Sequence, residues 1–306
     1  MKQAVQTRRT RKKLVDNDTF VGYAFIAPWL IGFLFLTIIP MLISLYLSFT
    51  RYNLTSPPQW IGAKNFIDMF TNDPRYFKSI RATLYFVLFS VPLKLIFALL
   101  VAFLLNHKAK AYNIYRSVYY LPSLIGGSIA VSMVWKELFA TKGVINSLLQ
   151  SLGYTGTIRW LGDTGTAIWT LILLSVWQFG SSMIIFAAGL KQIPVSYYEA
   201  AKIDGASTWA MFCKITLPCL SPVIMFNLIM QLISGFMSFT QSFVITVGGP
   251  LDSTLFYALY VYQKSFSYMD MGYACAMSWV LLLIIGVVTG IVFRTSDRWV
   301  FYESKG

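Results

Sequence analysis

ATLYFVLFSVPLKLIFALLVAFLL, residues 82–105, runs for twenty-four residues with a single charge, Lys94. About 20 apolar residues are what a helix needs to cross the hydrocarbon of a bilayer. A lone helix can do so because its backbone bonds are made within the segment. Five more apolar runs accompany it, at about 21–49, 118–139, 167–190, 223–247 and 272–293. The expected fold is an all-α membrane protein with six transmembrane helices. The first run is overlong and holds Pro28 and Pro40, so a tilted or broken helix is expected there. Residues 50–81 are polar and aromatic and suit the membrane surface.

Composition agrees. Of the 306 residues 57% are hydrophobic and 12% charged, with mean hydropathy +0.62, against about a quarter charged in soluble domains. The net charge of +13 could suggest nucleic acid, but the basic residues border apolar segments, as charges that set topology do. The most basic part is the tail, with Arg8, Arg9, Arg11, Lys12 and Lys13. Lys108, Lys110 and Arg116, then Lys191, Lys202 and Lys214, then Arg294, Arg298 and Lys305 follow on the same side if both termini are cytoplasmic. The positive-inside bias therefore favours N-in and C-in, with the loops near His107 and Gly205 inside. The first apolar run exceeds a signal-peptide core, so no cleavable leader is expected. Cys213, Cys219, Cys275 and His107 have neither metal-ligand nor disulfide spacing. Three regions follow: a basic tail over 1–20, a membrane domain over 21–293, and a second tail over 294–306.

Enzyme signatures are missing. The sequence contains no G-x-x-x-x-G-K-[ST], H-E-x-x-H or G-x-S-x-G. Its twelve carboxylates fall in loops, tails or span ends, whereas a proton-coupled transporter keeps one at mid-depth. Energy for transport must then come from a partner. A self-contained channel or secondary transporter for a small polar solute stays as the alternative.

Between the fourth and fifth runs lies EAAKIDGASTWAMFCKITLPCLSP, residues 199–222. Tyr197 to Asp204 is helix-forming, Gly205 breaks it, and Ser207 can cap a second short helix reaching about Ile215. Pro218 and Pro222 end that unit and start the next span. Physically this is either a compact cytoplasmic knob, with Ala200, Ala201 and Ala206 allowing close approach, or an ordinary interfacial loop.

The spacing Glu199-Ala200-Ala201, three residues, Gly205, nine residues, Ile215-x-Leu217-Pro218 resembles the EAA loop of ABC-importer permeases. Ala27-Pro28, Ser48-Phe49-Thr50, Ile61-Gly62 with Asn65-Phe66, Leu121-Pro122, Ile193-Pro194, and Gly248-Gly249-Pro250 with Thr254 resemble the sugar-uptake branch, the group of maltose and glycerol-phosphate permeases. That likeness implies a type I importer fold with a cytoplasmic coupling loop over 194–218. It implies a non-catalytic permease subunit in a bacterial cytoplasmic membrane, importing a carbohydrate, most naturally an oligosaccharide. It implies as partners a second homologous permease, two ATPase subunits that hold ATP and Mg, and an extracytoplasmic solute-binding protein. Glu199, Ala200, Ala201, Asp204, Gly205, Ile215, Leu217 and Pro218 would couple to the ATPase. Ala82, where the branch usually has Asn, and Lys94 depart from the pattern.

Asn227, Gln231, Ser234, Ser238 and Gln241 step by four, three, four and three, which sets five polar side chains on one helix face. Such a stripe can bond neighbouring helices or line a substrate pathway, and relatives are expected to bind sugar near this depth. Phe236, Phe239 and Phe243 flank it, as sugar-stacking rings or as packing. Gln178, Ser181 and Ser182 are a weaker set on the fourth run. Lys94 lies some 16–18 Å from either end of its run at 1.5 Å per residue, too deep to snorkel, at a cost of at least about 2.5 kcal/mol. It therefore needs a carboxylate on the second permease, backbone carbonyls freed by Pro92, or an anionic substrate. The last would be an acidic, uronate-containing oligosaccharide.

Overall fold

The computed structural model describes residues 18–105 and 112–301. The loop at His107 and the basic tail before Asp18 lie outside the described residues. Helices α1 (Asp18–Phe33) and α2 (Ile39–Ser48) make one continuous span, Gly22–Ser48, through a π turn at Leu34–Ile38. The chain is not broken at either proline. Ile39 N–H donates to the Leu34 carbonyl, five residues back, and this wider turn accommodates Pro40, which has no N–H to give. None of the most apolar window of this span is buried against the rest of the chain.

The connection to the second span is ordered. Strands β1 (Thr50–Arg51) and β2 (Gln59–Trp60) pair antiparallel, and α3 (Lys64–Thr71) follows. Asn65 Nδ2 donates to the carbonyls of Ser48 at 2.8 Å and Thr50 at 2.9 Å, taking up groups left open where α2 ends. Helix α4 (Pro74–Leu105) starts eight residues ahead of the apolar run that announces it. Pro74 is pre-set for a first helical turn, and Asp73 accepts the N–H groups of Arg75 and Tyr76 at 3.1 and 3.2 Å.

The third run is not a straight helix. It divides into α5 (Tyr112–Ile125) and α6 (Ile129–Leu138), which meet at 97° across Gly126, Gly127 and Ser128. Ser128 caps α6 by accepting Val131 N–H. After α7 (Val144–Ser151), the fourth run is α8 (Thr164–Trp177) and α9 (Gly180–Gln192), bent by 42°. Next come α10 (Val195–Ile203), α11 (Thr208–Met211), a π turn at Phe212–Thr216 and α12 (Leu217–Phe236). Two further π turns, Ser242–Thr246 and Gln263–Ser267, bracket α13 (Tyr257–Tyr262), and α14 (Met271–Ser296) closes the fold. Among the described residues four helices are long and apolar enough to cross a membrane, and the count reaches the expected six with each bent pair taken as one span.

Helix α4 is the hub, packed by α8, α9 and α12. Its Phe86, Val87, Val91, Leu95 and Ala98 join Leu171, Leu174, Met183, Phe186 and Leu220 in the main core. α12 runs antiparallel to α4: Phe103 meets Phe212 at 5.1 Å at one end, and Gly235 sits beside Val87 at the other. α9 crosses α12 closely at Gly189, where a Cβ would stand 2.7 Å from Leu220 and 2.9 Å from Val223. A smaller core of Met69, Tyr76, Tyr257, Tyr260, Tyr273 and Met277 fills the end where α4 begins.

Candidate functional site

Two regions answer to the sequence reading, and α12 belongs to both. At the end of the bundle where α4 finishes, α10 stops in a complete glycine cap. Gly205, at φ +75°, donates to the Lys202 carbonyl at 3.1 Å, and Ala206 donates to Ala201 at 2.9 Å. This reciprocal pair satisfies the last carbonyls of α10 and needs a residue that accepts a left-handed backbone. Ser207 then caps α11 by accepting Ala210 N–H at 3.2 Å. Tyr198 OH and Thr216 Oγ1, 2.9 Å apart, tie α10 to the base of α12.

This arrangement corrects two sequence expectations. The first helix covers Val195–Ile203 rather than Tyr197 to Asp204. The second does not end before Pro218; the chain is one helix from Thr208 to Phe236, widened at the π turn. Pro218 fits because the turn ahead of it is already open; Pro222 lies inside α12 and has no N–H for the Pro218 carbonyl, which accepts from Ser221 Oγ at 2.6 Å instead. The eight coupling candidates separate accordingly. Glu199, Ala200, Asp204 and Gly205 are exposed and Ala201 is half-buried, whereas Ile215, Leu217 and Pro218 are half-buried in the base. Ile203 is 87% exposed and Trp209 72%; sequence reading passed over both, although a tryptophan in a short polar segment was the signal.

The second region is a cavity of about 60 Å³ enclosed by α4, α8, α12 and the chain just beyond α12. Lys94, Gln231, Ser234, Ser238 and Gln241 all line it, and so do Ser90, Ser175 and Gln178. The polar stripe is not, however, one helix face. α12 ends at Phe236; Ser238 reaches the cavity from the break that follows, and Gln241 from the start of the next helical segment. Asn227 is not in the lining: it is fully buried one turn away, with both amide atoms unpaired. Phe239 and Phe243 stack on each other at 5.2 Å and against Tyr262, and Phe236 is buried in the core, so none of the three faces the cavity.

Gln178 is set by the bend between α8 and α9. Ser123 of α5 donates to the Gln178 carbonyl at 2.9 Å and accepts from Ser181 N–H at 3.0 Å, clamping the bend. Ser181 and Ser182 do not line the cavity. Lys94, half-buried, has neither a carboxylate nor a carbonyl partner among the described residues. The carbonyls near Pro92 therefore do not hold its ammonium. The sequence concealed Ser90, one turn before Lys94, because a serine in an apolar run reads as packing.

The glycine-capped unit is thus continuous with a helix that walls the polar cavity, so one element joins the two regions. Residues 70–302 match the family described as binding-protein-dependent transport system inner membrane component. The chain belongs to that family. As such an inner membrane component it is 54% identical over 297 residues to a probable ABC transporter permease, YesP, of Bacillus subtilis (strain 168), covering 96% of both chains. A probable starch degradation products transport system permease, AmyD, of Thermoanaerobacterium thermosulfurigenes is 34% identical, over 90% of this chain and 94% of that one. The lactose transport permease LacF of Rhizobium radiobacter is 32% identical, over 95% and 97%. In fold the inner membrane component matches a chain of a bacterial alginate ABC transporter in complex with an alginate pentasaccharide-bound periplasmic protein. The TM-score is 0.79 at 23% identity, over 94% of this chain and 98% of that one. It is thus a permease of an ABC sugar importer, a transport component and not an enzyme.

Proposed function

We propose that this permease pairs with a second, homologous permease to form the pathway for an acidic oligosaccharide. Of two ATPase subunits, which carry the ATP and Mg, one docks on Glu199, Ala200, Ala201, Asp204 and Gly205, while Ile215, Leu217 and Pro218 anchor that unit to α12. A binding protein delivers the sugar from outside. The observation that carries the substrate class is Lys94 in a polar cavity with no partner of its own. A cation at that depth needs a counter-charge, and a uronate supplies one, with Gln178, Gln231, Ser234, Ser238 and Gln241 to bond its hydroxyls. An alginate transporter among the structural neighbours supports this choice.

Uptake by a Lys94→Gln variant tests it, with an alginate trisaccharide and neutral mannotriose compared at equal protein in the membrane. One lost charge-assisted contact of about 1.5–3 kcal/mol lowers uptake of the charged sugar by roughly 10- to 100-fold and leaves the neutral one near its former level. Equal loss of both, or failure to assemble with the second permease, assigns Lys94 to an ion pair between subunits instead.

In this reading both termini are cytoplasmic, and the end bearing α10 and α11 faces the cytoplasm. A cysteine at position 205, in a background freed of Cys213, Cys219 and Cys275, is expected to resist an impermeant maleimide in intact cells and to react once the membrane is opened. Labelling from outside would invert the topology and remove the docking surface from the ATPase.

A further inference from the structure

At the end of the bundle where α4 begins, a second and wider concavity, about 530 Å³, opens between the first turns of α4 and α8 and residues 251–253. Lys78, Arg81 and Tyr85 line it from α4, Thr164 and Trp169 from α8, and Asp252 from the loop.

Its charges do not cancel. Asp252 accepts two hydrogen bonds from Arg75, at 2.8 and 3.2 Å, so that carboxylate is already engaged in a forked pair. Lys78 stands 3.5 Å from Asp252, with its side chain 55% exposed. Arg81 is exposed and has no ion-pair partner among the described residues. The cleft thus presents two cations beside a carboxylate that a third cation neutralises. Tyr85 and Trp169, edge to face at 6.3 Å, are 37% and 43% exposed. An aromatic and basic girdle is ordinary where a helix leaves the bilayer, but a girdle faces outward and does not enclose a concavity.

Position along α4 links the cleft to the cavity. Ala82, Phe86, Ser90 and Lys94 follow at four-residue steps; the first lines the cleft and the other three line the cavity. Ala82 to Ser90 is about 12 Å at 1.5 Å per residue. Between these levels Phe86, which lines the cavity, packs on Phe256 at 4.6 Å, and both rings are buried.

We infer that this cleft is a first binding station for an anionic oligosaccharide, holding its carboxylates on Lys78 and Arg81 and a ring face on Trp169 before the sugar descends to Lys94. The inference rests on the reading of the chain as an acidic-oligosaccharide permease.

The test uses the assembled importer in nanodiscs of phosphatidylcholine, carrying Lys94→Gln so that the deeper charge is absent. Binding of an alginate trisaccharide and of mannotriose is measured by equilibrium dialysis. The trisaccharide is expected to bind saturably, at least tenfold more tightly than mannotriose, and to weaken as salt screens the exposed cations. Adding Lys78→Gln and Arg81→Gln weakens it at least tenfold more; Trp169→Leu weakens both sugars. Absence of saturable binding, equal binding of both sugars, or affinity unchanged in the Lys78/Arg81 variant overturns the inference. Complete displacement of the sugar by phosphatidylglycerol assigns the cleft to lipid headgroups and overturns it too. The deeper site is judged separately. If Lys94→Gln transports the charged sugar normally while the Lys78/Arg81 variant does not bind it, the cavity reading fails and the cleft stands.

Discussion

Gly205→Trp is expected to cut uptake by about 100-fold while the protein still reaches the membrane. Two costs are involved, and they can be told apart. Any side chain at φ +75° carries roughly 1–2 kcal/mol of backbone strain. Bulk is a different matter. Nothing in this chain lies within 4 Å of a Cβ built at Gly205, so the indole meets an obstacle only when a partner closes around the turn. Overpacking of such a contact costs about 1–3 kcal/mol, and with the strain this is a loss of roughly two orders of magnitude. Gly205→Asn is the control, because asparagine tolerates the left-handed region and adds little volume. It should keep most of the transport. Normal uptake in the tryptophan variant would remove the ATPase from this loop. Loss in both variants, with low membrane levels, would make Gly205 a residue of the turn alone.

The second large effect is on stability and sits at the other end of α4. Asp73 accepts from Tyr260 OH at 2.6 Å and Tyr273 OH at 2.7 Å, pairs with Lys264 at 3.2 Å, and caps α4. Burial by itself would raise its pKa, but the two tyrosine hydroxyls and the Lys264 ammonium outweigh that and hold it below the ordinary carboxylate value. A depressed folded-state pKa contributes stability above the unfolded-state value that is lost as pH falls through the folded one. The melting temperature in detergent should therefore be flat from neutral pH to about 5 and drop below about pH 4. Asp73→Ala strands Lys264 and both hydroxyls, at a cost of about 3 kcal/mol. That is on the order of a 5–10 °C fall, and it removes the low-pH drop assigned to this group. Asp73→Asn, which keeps the acceptor, should fall between. An unchanged melting temperature for the alanine variant would show that the cluster forms without holding α3, α4, α13 and α14 together.

The continuous apolar runs at α4 and α14 were legible because each is long enough to cross a bilayer and apolar throughout. The 97° corner was not, although Gly126 and Gly127 mark it. In a hydropathy reading a glycine pair is simply apolar enough to pass. The stripe from Asn227 to Gln241 shows a subtler limit. Four of its five members line the cavity, but helical periodicity predicts that only for Gln231 and Ser234, since α12 stops at Phe236. Ser238 lies in a break after α12, and Gln241 starts a new helical segment whose placement depends on tertiary contacts. Among these, Ser242 Oγ bonds to the Thr254 carbonyl, and Thr254 Oγ1 to Gly249 and Thr246. Asn227 obeys the period and still misses the cavity. In the segment after α9 the glycine cap at Gly205 and the serine cap at Ser207 were legible to the residue, because they need nothing from elsewhere in the chain, but the run of the second helix through the π turn into α12 was not. Lys94 was conspicuous from the start, but Ser90 on the same helix reads as packing, and Ser175 comes from α8, which the stretch holding Lys94 does not display.

One helix runs from Thr208 to Phe236, and its tightest crossing, at Gly189, falls on Leu220 and Val223. Thr208 and Ser234 each lie about 20 Å from that crossing at 1.5 Å per residue. If the crossing serves as a fulcrum, the helix is a seesaw with arms of equal length. A tilt of about 3° then carries each end about 1 Å, in opposite directions, by the same 20 Å arm. Such a beam neither amplifies nor damps a push on α11; it inverts it, so that the capped end moving one way draws the wall of the cavity the other.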